Sequence, residues 1–325
     1  MANQVLKTVV LIALPASGKS EVRKYLEYMP MDKRVSDFYM GDTVQIDDFP
    51  YVHFMRCIDD ELLKVGHPFL FYHSNQEPFL HTAEWGTLIE LVNDDYFAIV
   101  NKTEINPSSA AEYLLDRIDA ASVRVGLPPR LSQLPANVRQ AILPGLEKEA
   151  KSILENIQKL QQIDLTGKTL VIEFARGGPE GSSMPLTNNY GYQYSKSRLA
   201  EPILQDATLL YIWVTPEESR RKNENRADPN DPGSILHHGV PIKVMLNDYG
   251  CDDIEWLEQN AEVPGTITVR AHGKVFHLPI AKFDNREDKT SFLRGDHTAW
   301  EQSKVEVLHN ELKGALQKLA KMYFK

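Results

Sequence analysis

The chain contains 325 residues, of which 42% are hydrophobic and 25% charged, so it can bury a substantial core. Its formal net charge of −9 disfavours broad nucleic-acid binding, because that function normally requires a basic surface. Two cysteines, Cys57 and Cys251, are too few for a disulfide framework, and no apolar run approaches the ~20 residues of a membrane span. We therefore expect a cytoplasmic globular protein that binds neither nucleic acid nor membrane.

Apolar runs alternate with amphipathic segments along the chain, a pattern that predicts an α/β protein with a largely parallel sheet. Residues 5–14 are mostly aliphatic and indicate a strand buried on both faces. A helix is predicted next at 19–28, ended by the Met29-Pro30 step. Further strands are predicted at 43–49, 169–174, 207–214 and 279–283, helices at 51–65, 216–227 and 299–324, and a hairpin between 266–270 and 274–278.

Residues 80–165 are mostly helical by pattern, with a long polar helix predicted at 144–162. This block is longer than an ordinary crossover between two strands. We interpret it as an inserted helical subdomain, which leaves residues 1–79 and 166–325 as the core domain.

The strongest motif lies between the first strand and the first helix, and its spacing is that of G-x-x-x-x-G-K-[ST] with alanine at the first glycine position. Such a loop binds phosphates through inward-pointing backbone N–H groups, a helix N-terminus and a lysine. Strand, loop and helix follow in the required order, whereas the similar triplet Gly167-Lys168-Thr169 has no strand before it. We call the motif the GKS loop and predict that it binds ATP: Ala13, Leu14, Pro15, Ala16, Ser17, Gly18, Lys19 and Ser20.

The sequence Leu-Pro-Ala-Ser-Gly-Lys-Ser followed by a helix resembles the loop of P-loop nucleoside, nucleotide and small-metabolite kinases. This resemblance covers about half of the chain. It implies a three-layer P-loop NTPase kinase-like core with a parallel five-stranded sheet, into which the helical block is inserted. It also implies an activity, transfer of the γ-phosphoryl group of ATP·Mg²⁺ to a small-molecule acceptor, with Lys19 on the phosphates and Ser20 on Mg²⁺.

Asp47 and Asp48 end the second predicted strand, at the sheet edge where α/β proteins bind ligands. With Phe49 they are similar to the Asp-Asp-Phe of uridine-kinase-like and phosphoribulokinase-like enzymes. That similarity implies that a carboxylate, of Asp47 or of Asp48, accepts the proton of the acceptor hydroxyl or helps to hold the metal. A solvated turn at a strand end is the alternative. Arg56, on the following helix, could meet an anionic acceptor or lie on the surface.

Glu173 lies late in an apolar strand, where a carboxylate is costly unless it meets a cation or metal-bound water. A role in holding Mg²⁺ through water fits this position. Glu173 and Arg176 also look similar to the Glu-Arg pair of deoxynucleoside kinases, which faces the acceptor, although two residues separate them here. A structural salt bridge between the two is the third interpretation.

Residues 216–227 combine a helix, several arginines and a following Pro/Gly/Asp loop, which is how nucleotide kinases build a lid. Arg220, Arg221 and Arg226 are the candidates for stabilising the transferring phosphoryl group, and a solvated helix is the alternative. Asn285 follows the last strand. In similar kinases the loop at this point lies beside the adenine, which implies a base contact for Asn285; a cap on a turn is the alternative.

Two other functions compete with a kinase. The first is an ATPase or GTPase switch that transfers phosphate to water; Asn101-Lys102-Thr103-Glu104 is a poor match to a guanine-binding motif. The second is a non-catalytic nucleotide-binding or scaffold protein whose helical block contacts partners.

Overall fold

The computed structural model describes residues 4–226 and 239–325. Its strands are β1 (Thr8–Ile12), β2 (Thr43–Asp47), β3 (Thr169–Phe174), β4 (Ala207–Trp213), β5 (Thr266–Ala271) and β6 (Lys274–Asp284). Its α-helices are α1 (Lys19–Tyr28), α2 (Met31–Phe38), α3 (Phe49–Lys64), α4 (Glu84–Asn101), α5 (Ala110–Arg124), α6 (Ala136–Gln161), α7 (Gly191–Ser197), α8 (Glu201–Asp206), α9 (Pro216–Arg226), α10 (Ile242–Asn247), α11 (Ile254–Gln259) and α12 (Gln302–Tyr323).

The six strands form one mixed, mostly parallel sheet in the order β2-β3-β1-β4-β6-β5. β1 runs parallel to both β3 and β4, and β4 runs parallel to β6. β5 lies antiparallel to β6 at the edge, joined by a tight turn in which His272 and Gly273 both have positive φ. The α/β class is therefore confirmed. The sheet has a sixth strand beyond the five predicted, because the predicted hairpin joins it through a β6 that continues for 11 residues.

The chain divides into two compact units. The core unit comprises Met1–Gln45, Leu165–Pro185 and Glu201–Lys325, and the helical unit comprises Ile46–Asp164 and Leu186–Ala200. Of the predicted insertion, residues 80–164 belong to the helical unit, which also takes in 46–79 and 186–200.

One face of the sheet in the core unit packs against α1, α2 and α12. Leu11 and Leu210 point from adjacent strands into a continuous apolar cluster that includes Val22 of α1. Leu312 and Leu316 of α12 are fully buried in the same cluster, at the spacing of one helical face. Burial of each such side chain stabilises the fold by about 1.5–3 kcal/mol, so this packing fixes α1 and the loop before it against the sheet.

In the helical unit α3, α4, α5 and α6 pack on one another. α6 begins at Ala136, earlier than the predicted start at residue 144, and it contains Pro144 within its length. Proline normally interrupts a helix because it lacks an N–H donor, which is why the sequence pattern places the start too late.

A closed ionic network lies inside the helical unit. Tyr51 Oη donates to both carboxylate oxygens of Asp95, at 2.8 and 2.7 Å, and Arg117 Nη2 donates to Asp95 at 2.7 Å. Every member of this network finds its partners within the unit. Among the helices of the described residues, none combines the length and the apolar character that crossing a membrane requires.

Candidate functional site

The GKS loop leaves the carboxyl end of β1 and leads directly into α1. Every residue from Ala13 to Lys19 is buried, and Ser20 is half-buried. Ala16 has φ 54° and Gly18 has φ 101°, so two left-handed residues curve the chain sharply before the helix. A Cβ atom at position 18 would clash with Thr290 Oγ1, which explains the requirement for glycine there. A turn of this kind directs successive backbone N–H groups toward one side and can bind an anion.

Buried polar groups accompany the loop. Ser17 Oγ is buried and makes no hydrogen bond within residues 4–226 and 239–325. The Lys19 side chain is only 9% exposed, and its Nζ lies 4.0 Å from Glu173 Oε1. The first N–H groups of α1 have no partner inside the helix. The loop therefore combines a helix N-terminus, a buried ammonium and an unsatisfied hydroxyl.

Glu173 reaches this loop because of the strand register. It pairs with Leu11, and Leu11 pairs with Leu210, so its side chain points to the sheet face that α1 covers. There its Oε2 accepts a hydrogen bond from Arg23 Nη1 at 3.0 Å. The Glu173 carboxylate thus meets two cations, Lys19 and Arg23, and Arg23 was missed by sequence reasoning. Its position one helical turn after Lys19 was the available signal.

Two buried side chains contact the outer side of the GKS loop. Ser219 Oγ, in the first turns of α9, donates to the carbonyl of Pro15 at 2.7 Å. Asn285 Nδ2 donates to the carbonyl of Ser17 at 2.7 Å and to Thr290 Oγ1 at 2.9 Å. The Asn285 carbonyl oxygen accepts from the N–H of Lys289 at 2.6 Å. Both side chains are completely buried.

The arginines predicted for a lid lie on α9. Arg220 pairs with Glu180 at 3.1 Å and with Glu217 at 3.5 Å. Arg221 is exposed and forms two 2.7 Å hydrogen bonds with Glu218. The side chain of Arg226 lies outside the described part of the chain. Arg220 is more buried than Arg221 and has two carboxylates around it.

Arg176 follows β3 and is almost completely buried in the core unit. Its guanidinium donates to the carbonyl of Ala175 at 2.6 Å and lies 5.1 Å from the ring centroid of Phe174. A fully buried guanidinium of this kind anchors the loop after β3. Its predicted contact with an acceptor stays a prediction.

Asp47, Asp48 and Arg56 belong to the helical unit. Asp47 Oδ1 accepts from the N–H of Phe49 at 2.8 Å, and Asp48 is buried immediately before α3. Arg56 stacks 3.9 Å from the ring centroid of Tyr72 and donates to the carbonyl of Asn75. Asp47 Oδ1 is therefore committed to a local turn at the end of β2.

The described residues offer neither a metal-binding cluster nor a reactive thiol. No group of three or more His, Cys, Asp and Glu side chains suited to a metal ion occurs among them. Burial, with the nearby Glu149 carboxylate, raises the pKa of Cys57 to about 11, and burial also raises the pKa of Cys251. Both thiols stay protonated at neutral pH, so neither is suited to be a nucleophile.

No protein-family model matches the chain, and no curated protein matches it significantly in sequence.

Proposed function

We propose that this protein is a P-loop phosphotransferase that binds ATP·Mg²⁺ through the GKS loop and transfers the γ-phosphoryl group to a small-molecule acceptor. The observation that carries the proposal is the loop itself: a buried strand, two left-handed residues at Ala16 and Gly18, and a helix that starts at the buried Lys19. Backbone amides, a helix N-terminus and a lysine in this order favour polyphosphate binding over other ligands.

The donor atoms of the core unit fit magnesium. Ser20 supplies a hydroxyl oxygen and Glu173 a carboxylate oxygen, which are the hard ligands that Mg²⁺ prefers. Mg²⁺ usually keeps several water and phosphate ligands, so a dedicated protein cluster is not required. Ser20 would bind the ion directly and Glu173 through water. When bound, the ion supplies charge neutralisation on the phosphate oxygens.

Lys19 would bind the β- and γ-phosphate oxygens, and Arg23 would keep Glu173 oriented beside it. An arginine on α9, Arg220 or Arg221, would stabilise the charge that spreads over the transferring group. The carboxylates that now pair with these arginines are partly exposed, and such pairs are weak enough to be exchanged for phosphate.

Asp47 or Asp48 would orient the acceptor hydroxyl and accept its proton. Their place at the end of β2 supports this assignment, because ligands of α/β sheets bind at the carboxyl ends of the strands. The acceptor class we propose is a nucleoside, a nucleotide or another small metabolite.

The test is ATP consumption measured over a panel of nucleosides, nucleotides, sugars and small acids, with the phosphorylated product identified by mass spectrometry. The expected result is transfer to one class of acceptor by the wild type and none by Lys19→Ala. Asp47→Asn and Asp48→Asn, made separately, should bind ATP normally while at least one of them loses transfer.

Three outcomes would contradict the proposal in different ways. Phosphate release to water alone would favour an NTPase, and ATP binding without any turnover would favour a nucleotide-binding scaffold. Failure of the wild type to bind ATP would remove the GKS loop as a nucleotide site.

A further inference from the structure

We propose that Ser219 and Asn285 are positioning residues that hold the backbone of the GKS loop in its anion-binding shape. The inference rests on the proposed function, because it concerns how that loop presents its N–H groups to phosphate. It assigns Asn285 a role different from contact with adenine. It also gives α9 a role that does not depend on its arginines.

The geometry of the peptide group links the two carbonyls to the N–H groups of the loop. In a trans peptide the carbonyl of one residue and the N–H of the next point in opposite directions. The Pro15 carbonyl that accepts from Ser219 therefore fixes the direction of the Ala16 N–H. In the same way, the Ser17 carbonyl that accepts from Asn285 fixes the direction of the Gly18 N–H.

The two peptide groups whose carbonyls accept these hydrogen bonds directly precede the left-handed residues. Ala16, at φ 54°, and Gly18, at φ 101°, each follow a carbonyl that receives a buried hydrogen bond. A left-handed alanine is unfavourable and persists only where its surroundings impose it. Ser219 is the side chain that imposes it, because its hydroxyl opposes rotation of the peptide group between Pro15 and Ala16.

The side-chain amide of Asn285 has all of its hydrogen-bond donors occupied. Its two amide hydrogens go to Ser17 and Thr290, and its oxygen accepts from Lys289. Its side chain is 0% exposed and so has no donor left for a nucleotide base.

The experiment measures the dissociation constant of Mg·ATP by calorimetry, together with the melting temperature, for the full chain. Ser219→Ala should weaken binding about tenfold, the effect of one buried hydrogen bond. Ala16→Gly removes the cost of the left-handed conformation, so adding it to Ser219→Ala should restore most of the affinity. Asn285→Ala serves as the second variant and should weaken binding by a similar factor.

The matched control is Thr208→Val. Thr208 is completely buried in the same unit, and its hydroxyl donates to the carbonyl of Thr8 at 3.1 Å. Thr8 is the first residue of β1 and Thr208 the second of β4, so this hydrogen bond lies at the opposite end of the strands from the loop. This variant should lower the melting temperature and leave the Mg·ATP affinity unchanged. If Ser219 had only a structural role, Ser219→Ala would behave like Thr208→Val, with a lower melting temperature and an unchanged affinity for Mg·ATP.

Three results would overturn the inference: unchanged affinity in both Ser219→Ala and Asn285→Ala, an equal loss in Thr208→Val, or no rescue by Ala16→Gly. All three presuppose that the wild type binds Mg·ATP. A wild type that does not bind it would instead overturn the proposed function, and the positioning role with it.

Discussion

Two buried charge arrangements in this molecule differ in how completely they are satisfied. In the helical unit, the Tyr51 hydroxyl donates its one hydrogen between the two Asp95 carboxylate oxygens, at 2.8 and 2.7 Å, and Arg117 donates to Asp95 at 2.7 Å. In the core unit, Glu173 receives a single 3.0 Å hydrogen bond from Arg23 and has Lys19 at 4.0 Å. The first arrangement has short bonds to the carboxylate, and the second has longer contacts and lies beside a loop with an unsatisfied hydroxyl, that of Ser17.

This difference separates charges that stabilise a fold from charges that are arranged for a ligand. A buried carboxylate with a full set of partners is a structural element, and removing one partner leaves an uncompensated charge. A buried cation beside the N-terminus of a helix is placed to bind an incoming anion through charge-assisted hydrogen bonds. The predictions below test that distinction, beginning with the largest effect.

Arg117→Met should lower the free energy of unfolding by about 3–5 kcal/mol, because Asp95 remains buried without its cation. Urea denaturation followed by circular dichroism measures the change. Arg124→Met is the matched control, since Arg124 pairs with Glu90 and Asp94 in the same unit while its side chain is 39% exposed. Its expected cost is below about 1 kcal/mol. Equal costs in the two variants would show that burial does not distinguish the pairs.

Lys19→Met should weaken Mg·ATP binding about a hundredfold and leave the melting temperature nearly unchanged, because the lysine has a ligand-binding role. Equilibrium binding and thermal denaturation provide the two readouts. Lys168→Met is the control: it lies in the other Gly-Lys-Thr triplet and pairs with Asp42 at 3.5 Å. If Lys19→Met lost stability without losing Mg·ATP binding, Lys19 would be a residue that stabilises the fold and not one that binds the ligand.

Arg23→Met should reduce phosphoryl transfer about tenfold while changing ATP affinity little, because it disorients Glu173 and leaves the GKS loop intact. Steady-state kinetics with Mg²⁺ titration measures this split. In the presence of Glu173→Gln, the Arg23 substitution should have no further effect. Arg294→Met is the control: Arg294 pairs at 2.7 Å with Glu21, which lies in α1 as Arg23 does. This variant should leave transfer unchanged. Additive losses would show that Arg23 acts independently of Glu173.

Asp37 gives the smallest expected effect and a pH signature. A hydrogen bond from Lys313, supported by His309, lowers the pKa of the Asp37 carboxyl below its usual 3.8. Because the folded pKa is lower than the unfolded one, the carboxylate stabilises the fold above pH ~4, and this contribution is lost as pH falls further. The urea midpoints of wild type and Asp37→Asn should therefore differ slightly at pH 6 and converge near pH 3.

Local pattern was sufficient to predict several elements. The helix predicted at 19–28 matches α1, and the strand predicted at 169–174 matches β3, because a continuous hydrophobic pattern and clear end signals define both. The hairpin was also predicted, since its turn residues lie between two short apolar runs. Pro144 misled the placement of α6, because the helix tolerates a residue that usually ends one.

Long-range contacts at the candidate site could not be predicted in the same way. Ser219 and Asn285 contact the GKS loop from positions more than 200 residues away in sequence, and neither lies in a motif. Asn285 was singled out for a base contact because only its position after the last strand was visible. The bond to Ser17 depends on how that loop folds back, which a single sequence does not reveal.

The pairing of β1 also determines when this protein can become competent to bind a ligand. Thr8 pairs with Leu170 and with Ala207, so β1 is synthesised long before either of its neighbouring strands. The side chain that holds the Ser17 carbonyl belongs to residue 285 and is synthesised later still. Such non-local pairing slows folding and leaves an apolar N-terminal segment exposed meanwhile. The GKS loop is thus synthesised well before the two side chains that hold its backbone.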